Sequence, residues 1–192
     1  MIIRKKARIK TSSTYLTTVL ATLFSSFIFT PVSEAGDAHE HGVVTVDTVI
    51  EGDLLDVMLI TPAVNIAGFE HAPETEAQKA ELLKAINTLK QGYKIIHLPS
   101  DALCLLKEAE VDQSLLESEH EHEHEHEHEE GGHADIKVHY QFVCAKPGQL
   151  TKMSVGLFDQ FPMIKSVRYQ LVSETGQKGG VLLSSQDDIL IR

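Results

Sequence analysis

Residues 119–130 alternate glutamate with histidine before ending in a second glutamate, and this tract is the part of the sequence best suited to metal chemistry. A neutral imidazole nitrogen is a ligand for Zn²⁺, Cu²⁺ or Ni²⁺, and a neighbouring carboxylate can bind the ion or hold the other ring N–H. Its five histidines, with a sixth after Gly131-Gly132, are His120, His122, His124, His126, His128 and His133. The composition therefore predicts metal capture and leaves Zn²⁺, Cu²⁺ and Ni²⁺ all open.

The backbone of this tract is expected to form a disordered His/Glu-rich loop at 117–134. In an extended backbone, successive histidines of the tract would project from one face about 7 Å apart. In a helix, every second histidine would stack on the same face. Because the tract has no apolar stripe, we expect ordering only around a bound ion. A solvated linker of alternating charge is the other interpretation.

Four more histidines outside the tract are candidates of different kinds. His39 and His41 repeat the His-Glu-His spacing, although a frayed terminus explains them equally well. His71 precedes a predicted helix, where a backbone hydrogen bond would also account for it. His139 lies on the less apolar face of a predicted strand, where a half-buried structural histidine is the alternative. His97 lies between apolar neighbours and is interpreted as structural.

The first 35 residues read as a secretory signal peptide. A basic start is followed by a largely apolar stretch over residues 15–29, and Ser33-Glu34-Ala35 offers small residues at a cleavage site. A retained anchor is the alternative, but the apolar stretch is short for a span, which needs about 20 residues. We therefore expect cleavage after Ala35 and no membrane span afterwards.

Residues 36–192 are expected to form one zinc-binding domain. Cleavage would leave 157 residues with 12 basic and 27 acidic side chains, a net charge of −15. Such acidity attracts cations and makes nucleic acid an improbable partner. We expect a monomer.

The two cysteines, Cys104 and Cys144, are expected to form a disulfide in an exported protein. Their closed loop would contain the whole tract and stabilise the fold by roughly 3 to 4 kcal/mol. The alternative, two thiolate ligands, lacks a Cys-x-x-Cys spacing.

The remaining pattern predicts an α+β fold, with antiparallel sheets of short strands and one principal helix. Strands are expected at 43–50 and 54–60 around the turn Glu51-Gly52-Asp53, and at 136–144, where apolar residues alternate. A helix is expected over 74–90. A second strand pair is expected at 93–98 and 102–106. The shorter strands are predicted at 153–158, 166–173, 180–184 and 189–191.

Several motifs together resemble the ZrgA-type family of zinc-regulated periplasmic proteins. They are Asn65-Ile66-Ala67-Gly68-Phe69-Glu70-His71-Ala72-Pro73, His39-Glu40-His41-Gly42, Cys104, Tyr140-Gln141-Phe142-Val143-Cys144 and Leu157-Phe158-Asp159-Gln160-Phe161-Pro162. The resemblance spans essentially all of residues 36–192. It implies a periplasmic protein of a Gram-negative bacterium that binds zinc and assists its uptake, alongside a periplasmic binding protein or an importer of the ATP-binding-cassette type. The role of the loop carries over, and no catalytic residue does.

Two other classes of function stay open. A zinc hydrolase would use His71 with Glu70 as general base, but no His-Glu-x-x-His spacing supports it. A zinc-responsive interaction or metal-buffering protein would use the same loop, ordered by the ion, to dock a partner. We expect this protein not to be an enzyme.

Overall fold

A computed structural model describes residues 40–117 and 134–192. The described residues belong to one compact unit, Ala38–Arg192. Their strands are β1 (Val43–Glu51), β2 (Leu54–Pro62), β3 (Ile96–His97), β4 (Cys104–Val111), β5 (Asp135–Cys144), β6 (Lys152–Val155), β7 (Ser166–Ser173), β8 (Gly176–Leu182) and β9 (Asp188–Leu190). Their helices are α1 (Ala63–Ala67), α2 (Glu76–Leu89), α3 (Gly92–Ile95), α4 (Ser114–Glu117) and α5 (Leu157–Gln160).

The strands form two sheets. The larger has six strands in the order β4-β5-β2-β1-β7-β8, and the smaller has three in the order β3-β6-β9. Within the larger sheet β1 and β7 are parallel, while the other neighbouring strands are antiparallel. The sheet is therefore mixed, and its centre is the β2–β1 pair.

The β1–β2 hairpin follows from local sequence. Glu51 lies opposite Leu54, which leaves Gly52 and Asp53 as the turn, and Gly52 has a φ of +61°. Glycine adopts this left-handed conformation without the steric cost that a side chain would add. The predicted hairpin is confirmed, with both strands slightly longer than predicted.

One face of the larger sheet builds the core. Alternate residues of the central strands are fully buried there, because successive strand side chains point to opposite faces. They include Val44, Val46, Leu55, Val57, Leu59, Val138, Tyr140 and Phe142. Leu82, Ala85, Ile86 and Leu89 are the buried residues of α2, and the Tyr140 hydroxyl donates a 2.7 Å hydrogen bond to the Leu89 carbonyl. The helix is thus tied to the central strands by packing and by one buried polar contact.

Helix α2 starts later than predicted. Thr75 is its N-cap and forms a capping box with Gln78, in which each side chain accepts from the backbone N–H of the other residue. The pair satisfies N–H groups that the first helical turn leaves without partners. Leu83, which lies at helical spacing with the apolar residues of this segment, is 41% exposed.

The predicted α+β class with antiparallel sheets and one principal helix is wrong. The described residues are mostly β, with nine strands in two sheets and five helices, of which α2 has 14 residues and the others four or five. The parallel pairing of β1 with β7 joins segments more than 100 residues apart. Hydrophobic periodicity reports which face a residue occupies and carries no information on such a distant partner strand.

The predicted strand pair at 93–98 and 102–106 is also wrong. Residues Gly92–Ile95 form α3, β3 pairs with β6 in the smaller sheet, and β4 pairs with β5 in the larger one. A short turn of 3₁₀ helix, Ser100–Ala102, separates the two strands. The segment between the two predicted strands, Pro99-Ser100-Asp101, therefore marks a crossing between sheets rather than a hairpin turn.

None of the helices in the described residues is both long and apolar enough to span a membrane. The predicted signal peptide and cleavage site lie outside the described residues and stay predictions.

Candidate metal-binding site

The His/Glu tract lies outside the described residues, but the structure places the chain on both sides of it. Helix α4 ends at Glu117, and Ala134 precedes β5. The two sides are joined by the β4–β5 ladder, in which Val111 lies opposite Val138. Ala134 also accepts a 2.8 Å hydrogen bond from the backbone N–H of Ala63, at the start of α1. The tract therefore connects neighbouring strands at one end of the larger sheet.

Cys104 and Cys144 close the opposite end of the same strand pair. They lie directly opposite each other in the β4–β5 ladder and form a disulfide across a separation of 40 residues. The predicted disulfide is confirmed, and the tract lies inside the closed loop. Because both sulfurs are in the bridge, neither cysteine is available as a thiolate ligand.

His41 is held beside a carboxylate. Its Nε2 lies 3.0 Å from Oε1 of Glu70, a residue that follows α1 in the chain. The His41 side chain is 59% exposed, whereas that of Glu70 is 16% exposed. The preceding Glu40 forms an ion pair with Arg168 of β7. The segment before β1 is thus fixed to two other parts of the fold.

Asn65 of α1 explains why this segment and Glu70 come together. Its Oδ1 accepts from the Gly42 N–H at 2.6 Å, and its Nδ2 donates to the Val43 carbonyl and to Thr61 Oγ1, both at 3.0 Å. Asn65 is only 2% exposed. A buried amide with its donors and acceptor satisfied holds its partners in a defined geometry. Asn65 therefore fastens the backbone immediately after His41 to the helix that precedes Glu70.

His71 makes mostly local contacts. Its Nδ1 lies 2.7 Å from the carbonyl of Ala72 and 3.9 Å from Oε1 of Glu74, and its ring stacks obliquely on Phe69 with centroids 5.3 Å apart. A carbonyl only accepts, so Nδ1 carries the proton in this contact and Nε2 keeps its lone pair. With the side chain 51% exposed, Nε2 is the nitrogen suited to bind an ion.

His139 forms a second histidine–carboxylate pair, on the face of the larger sheet opposite the core. Its Nε2 lies 3.0 Å from Oδ1 of Asp56, and the same oxygen accepts from the Gln141 amide at 3.3 Å. Glu110 lies directly across the β4–β5 ladder. Both members of the pair are about 30% exposed. The half-buried position matches the prediction for His139, and the paired carboxylate fixes its ring.

His97 lies at the edge of the smaller sheet, against the backbone at Gly156. A Cβ added to Gly156 would lie 2.8 Å from the His97 ring. His97 is otherwise exposed to solvent, and its structural role stays a prediction.

These contacts do not assemble a complete zinc site in the part of the chain that the structure describes. In residues 40–117 and 134–192, no three His, Cys, Asp or Glu side chains are arranged to hold one ion. Of the predicted metal ligands, His41, His71 and His139 are placed, while His39 and the six tract histidines fall outside the description. The sequence prediction missed Glu70 and Asp56 as the partners of His41 and His139. Glu70 is 29 residues from His41, so no local spacing could reveal that pair.

The comparison with known families gives one match. The model described as "ZrgA family zinc uptake protein" matches residues 38–191, which includes all the strands and helices above. No curated protein matches the sequence.

Proposed function

Since this chain belongs to the ZrgA family of zinc uptake proteins, we propose that it captures Zn²⁺ with the His/Glu tract and assists delivery of the ion to an importer. The observation that carries the proposal is the alternation of histidine and glutamate over residues 119–130, inserted between two paired strands. Zinc uptake follows from the family, and the capture mechanism is our proposal.

The donor set of the tract suits a cargo ion. Zinc takes four ligands, and two to four imidazoles completed by glutamate or water would give several overlapping sites. Linked sites raise the effective concentration of ligands around an ion that has just dissociated. The acidic composition of the chain adds a long-range attraction for cations. Such a tract would collect ions at low zinc concentration and release them to an acceptor with a complete site.

The fold supports this role because the core is built from residues outside the tract. Val111 and Val138, which flank the tract in the sequence, are paired in the β4–β5 ladder, and the Cys104–Cys144 bridge joins the same two strands at their other end. We propose that the folded residues act as a carrier for the tract and as the surface that meets the importer or its periplasmic binding protein.

Isothermal titration with Zn²⁺ tests the capture mechanism. Protein expressed from the complete sequence is compared with a variant in which all six tract histidines are replaced by glutamine, so that length and fold are kept. We expect the variant to lose most of the bound zinc. Equal stoichiometry in the two proteins would contradict capture by the tract.

The same titration at several pH values tests for imidazole ligands. A free imidazole gains its proton near pH 6.5, and a protonated ring cannot bind zinc. Zinc affinity should therefore fall steeply between pH 7.5 and pH 5. An affinity that stays constant over this range would point to carboxylates as the main ligands.

A further inference from the structure

The His41–Glu70 pair has the separation of two ligands of one zinc ion. Zinc binds imidazole nitrogen at 2.0–2.1 Å and carboxylate oxygen at 2.0–2.2 Å, which at a tetrahedral angle separates the two donor atoms by about 3.4 Å. His41 Nε2 and Glu70 Oε1 are 3.0 Å apart. An ion could therefore lie between the two atoms after they move apart by a few tenths of an ångström.

The two side chains differ in exposure in a way that suits exchange of the ion with solvent. Glu70 Oε1 is buried, while the His41 side chain is 59% exposed. The carboxylate is thus held from inside the fold, and the imidazole stands on the solvent side. The imidazole of His41 is therefore the member of the pair that an incoming ion meets first.

The pair is positioned by the backbone on both sides. Asn65 holds Gly42 and Val43 to α1, and Gly68 ends α1 with a φ of +88°, which directs the chain toward Glu70. Ligands held in advance lose less conformational freedom when they bind an ion.

The His139–Asp56 pair differs, because the Asp56 oxygen that faces His139 also accepts a hydrogen bond from the Gln141 amide. That second pair is similar in distance but less open, which makes it a matched control.

We propose that His41 and Glu70 are both ligands of one zinc ion bound on the folded domain. Zinc takes four ligands, so an acceptor protein that offers its own ligands to this ion can take it over. The inference rests on the proposed function only in taking zinc as the cargo, since neither His41 nor Glu70 belongs to the tract.

The test uses a tract-silent protein, defined as the full chain in which His39 and the six tract histidines are all replaced by glutamine. Its remaining histidines are His41, His71, His97 and His139. We expect it to bind one Zn²⁺ in a calorimetric titration, and the ring nitrogens of His41 to shift in ¹H–¹⁵N spectra on addition of zinc. His41→Gln and Glu70→Gln should each weaken this binding by at least about tenfold, by analogy with losses at other metal sites.

His139→Gln in the same background is the control and should leave the zinc affinity unchanged. The inference is overturned if the tract-silent protein binds no zinc, if His41→Gln leaves its affinity unchanged, or if the shifts appear at His139 instead. The comparison of the native and tract-silent proteins separately tests capture by the tract. Either idea can therefore fail while the other stands.

Discussion

Replacing Asn65 by alanine should destabilise the fold far more than the loss of one small side chain suggests. The substitution removes an acceptor from the Gly42 N–H and two donors, one from the Val43 carbonyl and one from Thr61 Oγ1. Thr61 is fully buried and Asn65 is 2% exposed. Water therefore cannot easily replace the lost amide.

The expected loss can be worked out contact by contact. Each intramolecular hydrogen bond contributes about 1 kcal/mol net, and a buried group left without a partner costs about 1 to 3 kcal/mol. Because Asn65 lies in α1, the higher helix propensity of alanine offsets roughly 0.5 kcal/mol of this loss in stability. We therefore expect the free energy of unfolding to fall by about 3 kcal/mol.

Urea denaturation followed by far-ultraviolet circular dichroism measures this loss. Asn87→Ala is the matched control, because Asn87 lies on the exposed face of α2 and gains the same helix propensity. The control should change stability by less than about 0.5 kcal/mol. A loss for Asn65→Ala within about 1 kcal/mol of the control would refute the idea that the buried amide holds β1 to α1.

Three further predictions concern the rest of the fold. Replacing Cys104 and Cys144 together by alanine should lower the free energy of unfolding by about 4 kcal/mol in the chain-entropy model, measured by urea denaturation against the oxidised protein. Gly156→Ala should lower the free energy of unfolding by about 2 to 3 kcal/mol, because the added Cβ would clash with the Lys94 carbonyl and the His97 ring. Gly148→Ala is the control and should leave the free energy of unfolding unchanged in the same assay, because nothing lies within 4 Å of a Cβ at that position. Burial raises the pKa of the Tyr140 phenol above its ordinary value near 10. As the pH rises, the phenol of the unfolded chain therefore loses its proton before that of the folded chain, and the free energy of unfolding should fall above pH 10. Tyr140→Phe should show a smaller fall between pH 9 and pH 11; an equal fall in both proteins would contradict that origin.

The parts of the fold that the sequence predicts well are those encoded within a short window. The β1–β2 hairpin needs only two alternating runs and a glycine turn, and β5 needs only one clean alternation that puts Tyr140 and Phe142 on the buried face. Helix α2 lies within two residues of its predicted ends at both termini. Secondary structure of this kind depends on neighbours that the sequence itself places side by side.

The parts that were missed depend on partners far apart in the chain. Strand β7 was predicted as a strand, but nothing in its residues indicates a parallel partner in β1. Strand β3 has two residues and owes its existence to β6. The same limit applies to the site: His41 was a candidate from its spacing, whereas its carboxylate partner and Asn65 appear only after folding brings them together. The family match confirms the resemblance that the motifs carried, and it spans these distant segments.

The proposed capture of zinc by the tract has a thermodynamic consequence for zinc release. In a zinc finger the metal supplies much of the folding free energy, so losing the ion unfolds the chain. Here the core of buried residues on β1, β2, β5 and α2, with the Cys104–Cys144 bridge, lies in the part of the chain that holds no complete set of metal ligands. Under the proposed capture by the tract, folding and the capture of the ion therefore depend on different residues. We infer that the domain stays folded when it gives up its zinc, so the free energy of transfer depends only on the ligands of donor and acceptor and not on refolding of the carrier.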